Sequence, residues 1–275
     1  MQRKLSRREF LNSAKTMSTA LALYPLVSPL LKIKGSVKKK VKSIKLGSTK
    51  VSISVYKKGN SKITYFCPHA NEPGSVKAAK KTVTKHGGKI VAVNNEMKRS
   101  VIFSIDGVKY AFDPNRAFTD EGIELTLKKW GKVKFGDENR YSEEAHAAVK
   151  AYGEFLMKEL LADSPEIIVG VHNNSDGEGV TEEDMNTGDS YWNPDIDSDH
   201  FFLVIDKKHF EYLKEKKLNV IYESEDADDD GSISIYCRKE NIPYINVETQ
   251  YKHLQYQLGM LREAREMIKE LYDVE

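Results

Sequence analysis

Ile63-Thr64-Tyr65-Phe66-Cys67-Pro68-His69-Ala70-Asn71-Glu72-Pro73 is the passage that decides the fold. The apolar, largely β-branched or aromatic run Ile63 to Phe66 reads as a buried strand. Pro73 opens a helix that carries Val76, Ala79 and Val83 on one face, and Gly87-Gly88 closes it. His69 and Glu72 stand three residues apart on the loop between strand and helix. An imidazole and a carboxylate at that spacing can close on one zinc ion. A catalytic zinc site needs three protein ligands and leaves a position for water.

Working outward, strands and helices alternate. Val51 to Val55 alternates and reads as a strand, and Lys89 to Val93 is short and apolar enough to be a buried one. Val101 to Ile105 and Val108 to Phe112 flank Asp106-Gly107, a hairpin turn signal. Helices are expected over 119–130 and 142–161, the second with Ala145, Val149, Tyr152, Leu156 and Leu160 facing inward. Ile167 to Val171 and Phe201 to Ile205 read as strands, and a short helix over 207–216 follows. Asn219 to Tyr222 and Ile242 to Val247 are the remaining strand-like runs. A closing helix carries Leu254, Leu258, Leu261, Ile268 and Leu271 at helical spacing. The pattern predicts a single α/β domain over 49–275, with a mixed, mostly parallel sheet between helical layers.

The chain has 275 residues, 40% hydrophobic and 31% charged, enough for a sizeable core. Its net charge of +2 offers no field for a polyanion, so no nucleic-acid partner is expected. The basic excess is local: residues 32–48 look like a flexible basic linker. Ahead of it, Ser6-Arg7-Arg8-Glu9-Phe10-Leu11 and the apolar stretch Ala20 to Leu31 make residues 1–31 a twin-arginine export signal. The expected address is therefore the periplasm or cell envelope, with the twin-arginine translocase as a partner during export. No clean Ala-x-Ala follows, so an uncleaved signal would serve as a membrane anchor. Of the two cysteines, Cys67 ends a buried strand and reads as a packed free thiol, a Cys67–Cys237 bridge being the alternative in an exported chain.

His69, Asn115-Arg116, His172 and Glu248 each come just after or at the end of a strand-like run. In open α/β sheets ligands bind where strands end and loops diverge. His69, Glu72 and His172 supply a His-Glu-His set with one open position. Glu248 is then placed to take a proton from water and return it to a leaving amine. Arg116 offers a planar fork that suits a substrate carboxylate. Each residue alone has a plainer use: His69 as a loop or cap group, Glu72 at a helix start, Arg116 as a clamp on Asp113. The ordered set is what points to zinc.

That order resembles the zinc metallocarboxypeptidase superfamily, and most closely its succinylglutamate desuccinylase and aspartoacylase branch. The matching stretches are Pro68-His69-Ala70-Asn71-Glu72, Asp113-Pro114-Asn115-Arg116-Ala117-Phe118, Val171-His172-Asn173-Asn174 and Val247-Glu248-Thr249. The resemblance implies that His69, Glu72 and His172 bind zinc, that Asn115 and Arg116 hold substrate carboxylate, and that Glu248 is the general base and acid. It implies an exported zinc hydrolase of an amide or peptide bond near a free carboxylate, its substrate a small peptide or an N-acyl amino acid. A cell-wall peptide would suit the address. The chain departs from the family pattern at Ala70, where Gly is usual, and at Pro114, where Leu is usual. Tyr251 is the nearest tyrosine after Glu248. Two alternatives stand beside this: an N-acetylmuramoyl-alanine amidase-type hydrolase, and a non-catalytic metal-site binding module on the same fold. The three-residue His-x-x-Glu spacing favours the carboxypeptidase-like pattern over the amidase.

Asp226-Ala-Asp228-Asp-Asp230-Gly231 matches the opening of a calcium loop, but Cys237 stands where a bidentate Glu belongs. The alternative is an acidic turn entering a Ser232–Tyr236 strand. His86, His146, His200, His209 and His253 have no partner at ligand spacing, although His200 begins a strand beside the acidic Asp195-x-Asp197-x-Asp199 run.

Overall fold

The computed structural model describes residues 35–175 and 189–273. The expected export signal lies outside them. A nine-stranded sheet runs in the order β1-β2-β4-β3-β7-β11-β9-β10-β8. Its strands are β1 Lys38–Leu46, β2 Thr49–Lys58, β3 Ile63–Cys67, β4 Gly88–Asn94, β7 Ile167–Asn174, β8 Ser190–Tyr191, β9 Phe201–Val204, β10 Val220–Tyr222 and β11 Tyr244–Gln250. The central block β4-β3-β7-β11 is parallel. Antiparallel pairing frames it, through β1–β2 and β2–β4 on one side and β11–β9 on the other. A separate hairpin pairs β5 Val101–Ile105 with β6 Val108–Phe112 around the expected Asp106-Gly107 turn.

Helices cover both faces of the sheet. On one face, α2 Asp120–Phe135, α3 Glu143–Leu161 and α5 Ile233–Lys239 bury Leu127, Tyr152, Leu156 and Ile233 against Phe66 and Tyr244. On the other, α1 Pro73–His86, α4 Lys207–Glu215 and α6 Leu254–Tyr272 bury Val83, Leu213, Leu261 and Ile268 against Tyr65, Val169 and Val247. This is the layered α/β arrangement that the alternation of elements predicts. The strands sort their side chains by the period of two, so that Phe66 faces one core while Tyr65 and Cys67 face the other. Cys67 and Cys237 therefore lie in different cores, both buried and both free, and no bridge joins them.

Two expectations are corrected. Residues 38–46 are not flexible linker: they pair along their whole length with β2. Only Leu46 of that strand is buried, so its lysines report an edge exposed to water, which composition alone cannot tell from a tether. Ser232–Tyr236 is not a strand either. Ser232 caps α5, its Oγ accepting from Ile235 N–H, and Ile233, Ser234, Ile235 and Cys237 are all buried. With Ser232, Ile233, Ser234 and Ile235 all buried in succession, alternation in Ser-Ile-Ser-Ile was not diagnostic.

Candidate metal centre

The parallel register brings the expected residues to one end of the sheet. Glu248 on β11 sits directly beside His172 on β7. The loop after β3, the next strand over, delivers His69 and Glu72. Glu72 occupies the N-cap position of α1, yet its side chain makes no cap bond. Its carboxylate turns inward: Oε2 accepts from Asn173 N–H at 3.0 Å, and Oε1 from Arg99 Nη1 at 3.2 Å. The backbone of the same turn is satisfied separately, with Glu72 O accepting from Ser75 N–H and Ser75 Oγ.

His69, Glu72 and His172 are all buried and each offers a ligand atom within 4.8 Å of the others. His69 Nδ1 lies 2.8 Å from Glu72 Oε1, and His172 Nδ1 lies 3.7 Å from Glu72 Oε2. Two atoms bound tetrahedrally to one zinc at about 2.0–2.1 Å stand about 3.3 Å apart, a separation that the two distances straddle. His69 Nδ1 is buried and faces Glu72 Oε1. Buried ligand atoms that converge this closely suit a shared cation. The residues present therefore fit a zinc ion.

The surroundings complete the case. His69 Nε2 donates to Asp113 Oδ1 at 2.7 Å, which leaves Nδ1 as the ligand atom and fixes the tautomer. Asp113 also accepts from Asn115 N–H at 2.9 Å and from Arg99 Nε at 2.9 Å. Burial pushes the His69 imidazole down, but Glu72 and Asp113 outweigh it and raise it to about 9; the proton so held is the one a cation would replace. Burial pushes His172 down to about 3, against the pull of Glu72, so it stays neutral as a ligand must. Burial, then the Glu72 charge, pushes Glu248 up to about 8. Its Oε1 is 4.0 Å from His172 Nδ1, and its Oε2 is buried without a partner. A carboxyl with a raised pKa beside the metal ligands suits proton transfer in both directions.

Arg116 stands apart from this cluster. Its Nη2 pairs with Asp230 at 3.0 Å and its Nη1 donates to the Asn115 carbonyl. Asn115 is buried, with Oδ1 unpartnered. Tyr251, just past β11, is exposed and donates its N–H to Asn174 O. Two carboxylates of the Asp226–Gly231 loop are engaged within the protein. Asp229 accepts from Thr119 Oγ1 and Gly231 N–H, and Asp230 accepts from Ser232 N–H and pairs with Arg116. Among the described residues only His69, Glu72 and His172 converge as a metal-ligand group. His200 packs on Tyr256 with ring centroids 4.0 Å apart and meets His253 through Nε2 at 3.1 Å.

Two groups that bond the cluster went unassigned by sequence reasoning. Asp113 lies inside the Asp-Pro-Asn-Arg stretch already singled out, two residues ahead of Asn115, so its signal was present. Arg99 binds both Glu72 and Asp113 but follows no motif, and nothing short of the fold brings it to them.

No protein-family model matches the chain, and no curated protein sequence matches it. Among solved structures it is similar to the succinylglutamate desuccinylase/aspartoacylase of Rhodobacter sphaeroides, with 12% identity, a TM-score of 0.44, and coverage of 90% of this chain and 69% of that one. It is similar to an aspartoacylase family protein of Mesorhizobium loti, with 14% identity, a TM-score of 0.40, and coverage of 91% and 69%. It is also similar to thrombin activatable fibrinolysis inhibitor, with 12% identity, a TM-score of 0.41, and coverage of 97% and 78%.

Proposed function

We propose that the chain is a zinc-dependent hydrolase that cleaves an amide or peptide bond next to a free carboxylate, on a small peptide or an N-acyl amino acid. The observation that carries this is the convergence of His69, Glu72 and His172 on one point, with Glu248 facing it from the adjacent strand. Zinc held there would supply Lewis acidity and bring the pKa of a water toward neutrality. Glu248 would serve as the base that takes a proton from water and the acid that returns it to the leaving nitrogen. His69 and His172 stay neutral as ligands, the first held in its tautomer by Asp113. Arg99, anchored on Glu72 and Asp113, brings positive charge to the site edge, where it counters charge developing on the carbonyl oxygen. Arg116 receives the substrate carboxylate, which competes with Asp230 for the guanidinium.

The proposal extends to location. Arg7-Arg8 and the apolar stretch after them support twin-arginine export to the cell envelope, where cell-wall peptides are the available substrates. The presence of Glu248 favours an enzyme over a binding module, because metal-dependent binding alone makes no use of a base.

Elemental analysis of wild type beside His69→Ala tests the centre. About one zinc per wild-type chain, lost in the variant, is expected. Hydrolysis of N-acyl amino acids and short peptides is then screened with Glu248→Gln as the inactive control. Absence of metal from wild type after zinc is supplied would refute the proposal.

A further inference from the structure

A cavity of about 770 Å³ opens beside the metal loop and does not take part in the chemistry above. Ala70 and Pro73, the neighbours of His69 and Glu72, form one end of it. The segment Asn94 to Met97, which leads on to Arg99, forms one wall. Its volume falls within the range of sites that hold a small molecule or short peptide.

The opposite wall is α1, and its lining is basic. Lys77, Lys80, Lys81 and Lys85 recur at helical spacing on the side of α1 away from its buried Ala78, Ala79 and Val83. Among the described residues none of the four makes an ion pair. Lys80 Nζ instead sits 4.3 Å from the Tyr56 ring, and Lys39 Nζ lies 5.6 Å from the same ring. The one acid of the lining, Glu96, is already neutralised by Lys98 at 2.9 Å. Tyr56, Val76, Val93 and the exposed Met97 make the surface between the charges apolar. A protein with a net charge of only +2 has thus concentrated unpaired positive charge along one groove that ends at its metal loop.

We infer that this groove is a second binding site, for a short acidic peptide whose carboxylates lie along the α1 lysines and whose chain leads toward the metal centre. The connection to the metal centre rests on the hydrolase reading; the binding of an acidic peptide does not. The occupant is a peptide because the apolar floor between charges suits a chain with alternating polar and apolar parts, and because Ala70 and Pro73 at one end of the groove adjoin His69 and Glu72 in the chain. The lysines also act at range, drawing an anionic chain into the site faster at low salt.

The test is titration calorimetry of the zinc-supplied full chain with acetylated tetraglutamate, beside tetraglutamine. Tetraglutamate is expected to bind and tetraglutamine not, with affinity falling as salt rises. Lys81→Glu/Lys85→Glu, two exposed positions away from the metal ligands, is expected to weaken tetraglutamate about tenfold. The same variant raises KM for an acid-tailed substrate and leaves an untailed one unchanged. Chelator-treated protein is expected to bind tetraglutamate as before, so a failure of the zinc reading leaves this result standing. Equal binding of tetraglutamine, or no loss in the double variant, would overturn the inference. So would capture by phosphatidylglycerol vesicles through these lysines without tetraglutamate binding, which would assign the groove to a lipid surface.

Discussion

Asp113→Asn is the substitution that tests the architecture of the metal centre most directly. The native carboxylate is buried and makes three bonds: Oδ1 accepts from His69 Nε2 and Asn115 N–H, and Oδ2 accepts from Arg99 Nε. An asparagine keeps the shape but has one acceptor oxygen. If that oxygen stays on His69, the new NH₂ group faces the Arg99 donor. If it turns to Arg99, the NH₂ faces His69 Nε2–H. Either way one charge-assisted bond becomes a donor–donor conflict. Such a buried bond contributes about 1.5–3 kcal/mol, which corresponds to about tenfold to hundredfold in zinc affinity if the loss falls on the bound state. Competition against a chelator of known affinity reads this directly, with circular dichroism confirming the fold. A second readout needs no metal. His69 is raised to about 9 by Glu72 and Asp113, so in metal-free protein its titration by NMR should move down when one of those charges is removed. Zinc affinity within twofold of wild type, with an unmoved His69 titration, would show that Asp113 does not govern the ligand.

Other perturbations have equally definite outcomes. Glu248→Gln is expected to keep its zinc and lose about 10²–10⁴-fold in kcat, measured by metal analysis and steady-state kinetics on one preparation. Gly122→Ala places a Cβ 1.9 Å from Gly231 Cα, so the α2 start and the Asp226–Gly231 loop must separate; a loss of about 2–3 kcal/mol and about 5–10 °C in Tm is expected by calorimetry. Fully buried His209 is pushed down to about 4 by burial, against the pull of Asp206. The unfolded chain therefore binds the proton first, and this contribution is complete above pH 6.5 and lost as pH falls to 4. The wild type should lose about 3 kcal/mol more than His209→Gln over that window in chemical denaturation, and parallel curves would count against it.

The site was legible in the sequence where a chemically marked residue ended an apolar run. Ile63–Phe66 leads to His69, Ile167–Val171 to His172, and Ile242–Val247 to Glu248. A parallel sheet gathers strand ends, so reading the ends was enough to assemble the set. What stayed hidden was pairing across the chain. Arg99 reaches Glu72 and Asp113 from beyond β4, and its local sequence, Glu96-Met97-Lys98-Arg99, looks like any exposed turn. The Arg116–Asp230 pair is of the same kind: each half was singled out, one for substrate and one for calcium, and only the fold shows that they meet. Secondary structure failed where burial was uniform or absent. In α5 the residues Ile233, Ser234 and Ile235 are buried in succession, and in β1 almost none is, so neither shows the alternating contrast on which periodicity depends.

The lysine-rich β1 also bears on how the molecule behaves in a crowd. Among the described residues no further strand pairs with either end of the nine-stranded sheet, and each such edge is a template on which a second chain could add. At the far end the template is only the two residues of β8. At the near end it is nine residues long, and there Lys38, Lys39, Lys40, Lys42 and Lys45 line it. A second copy docking edge to edge would set like charges against like, so repulsion between molecules guards the longer edge. That guard works through solvent and is screened by ions. The chain should therefore be most prone to self-association at high ionic strength.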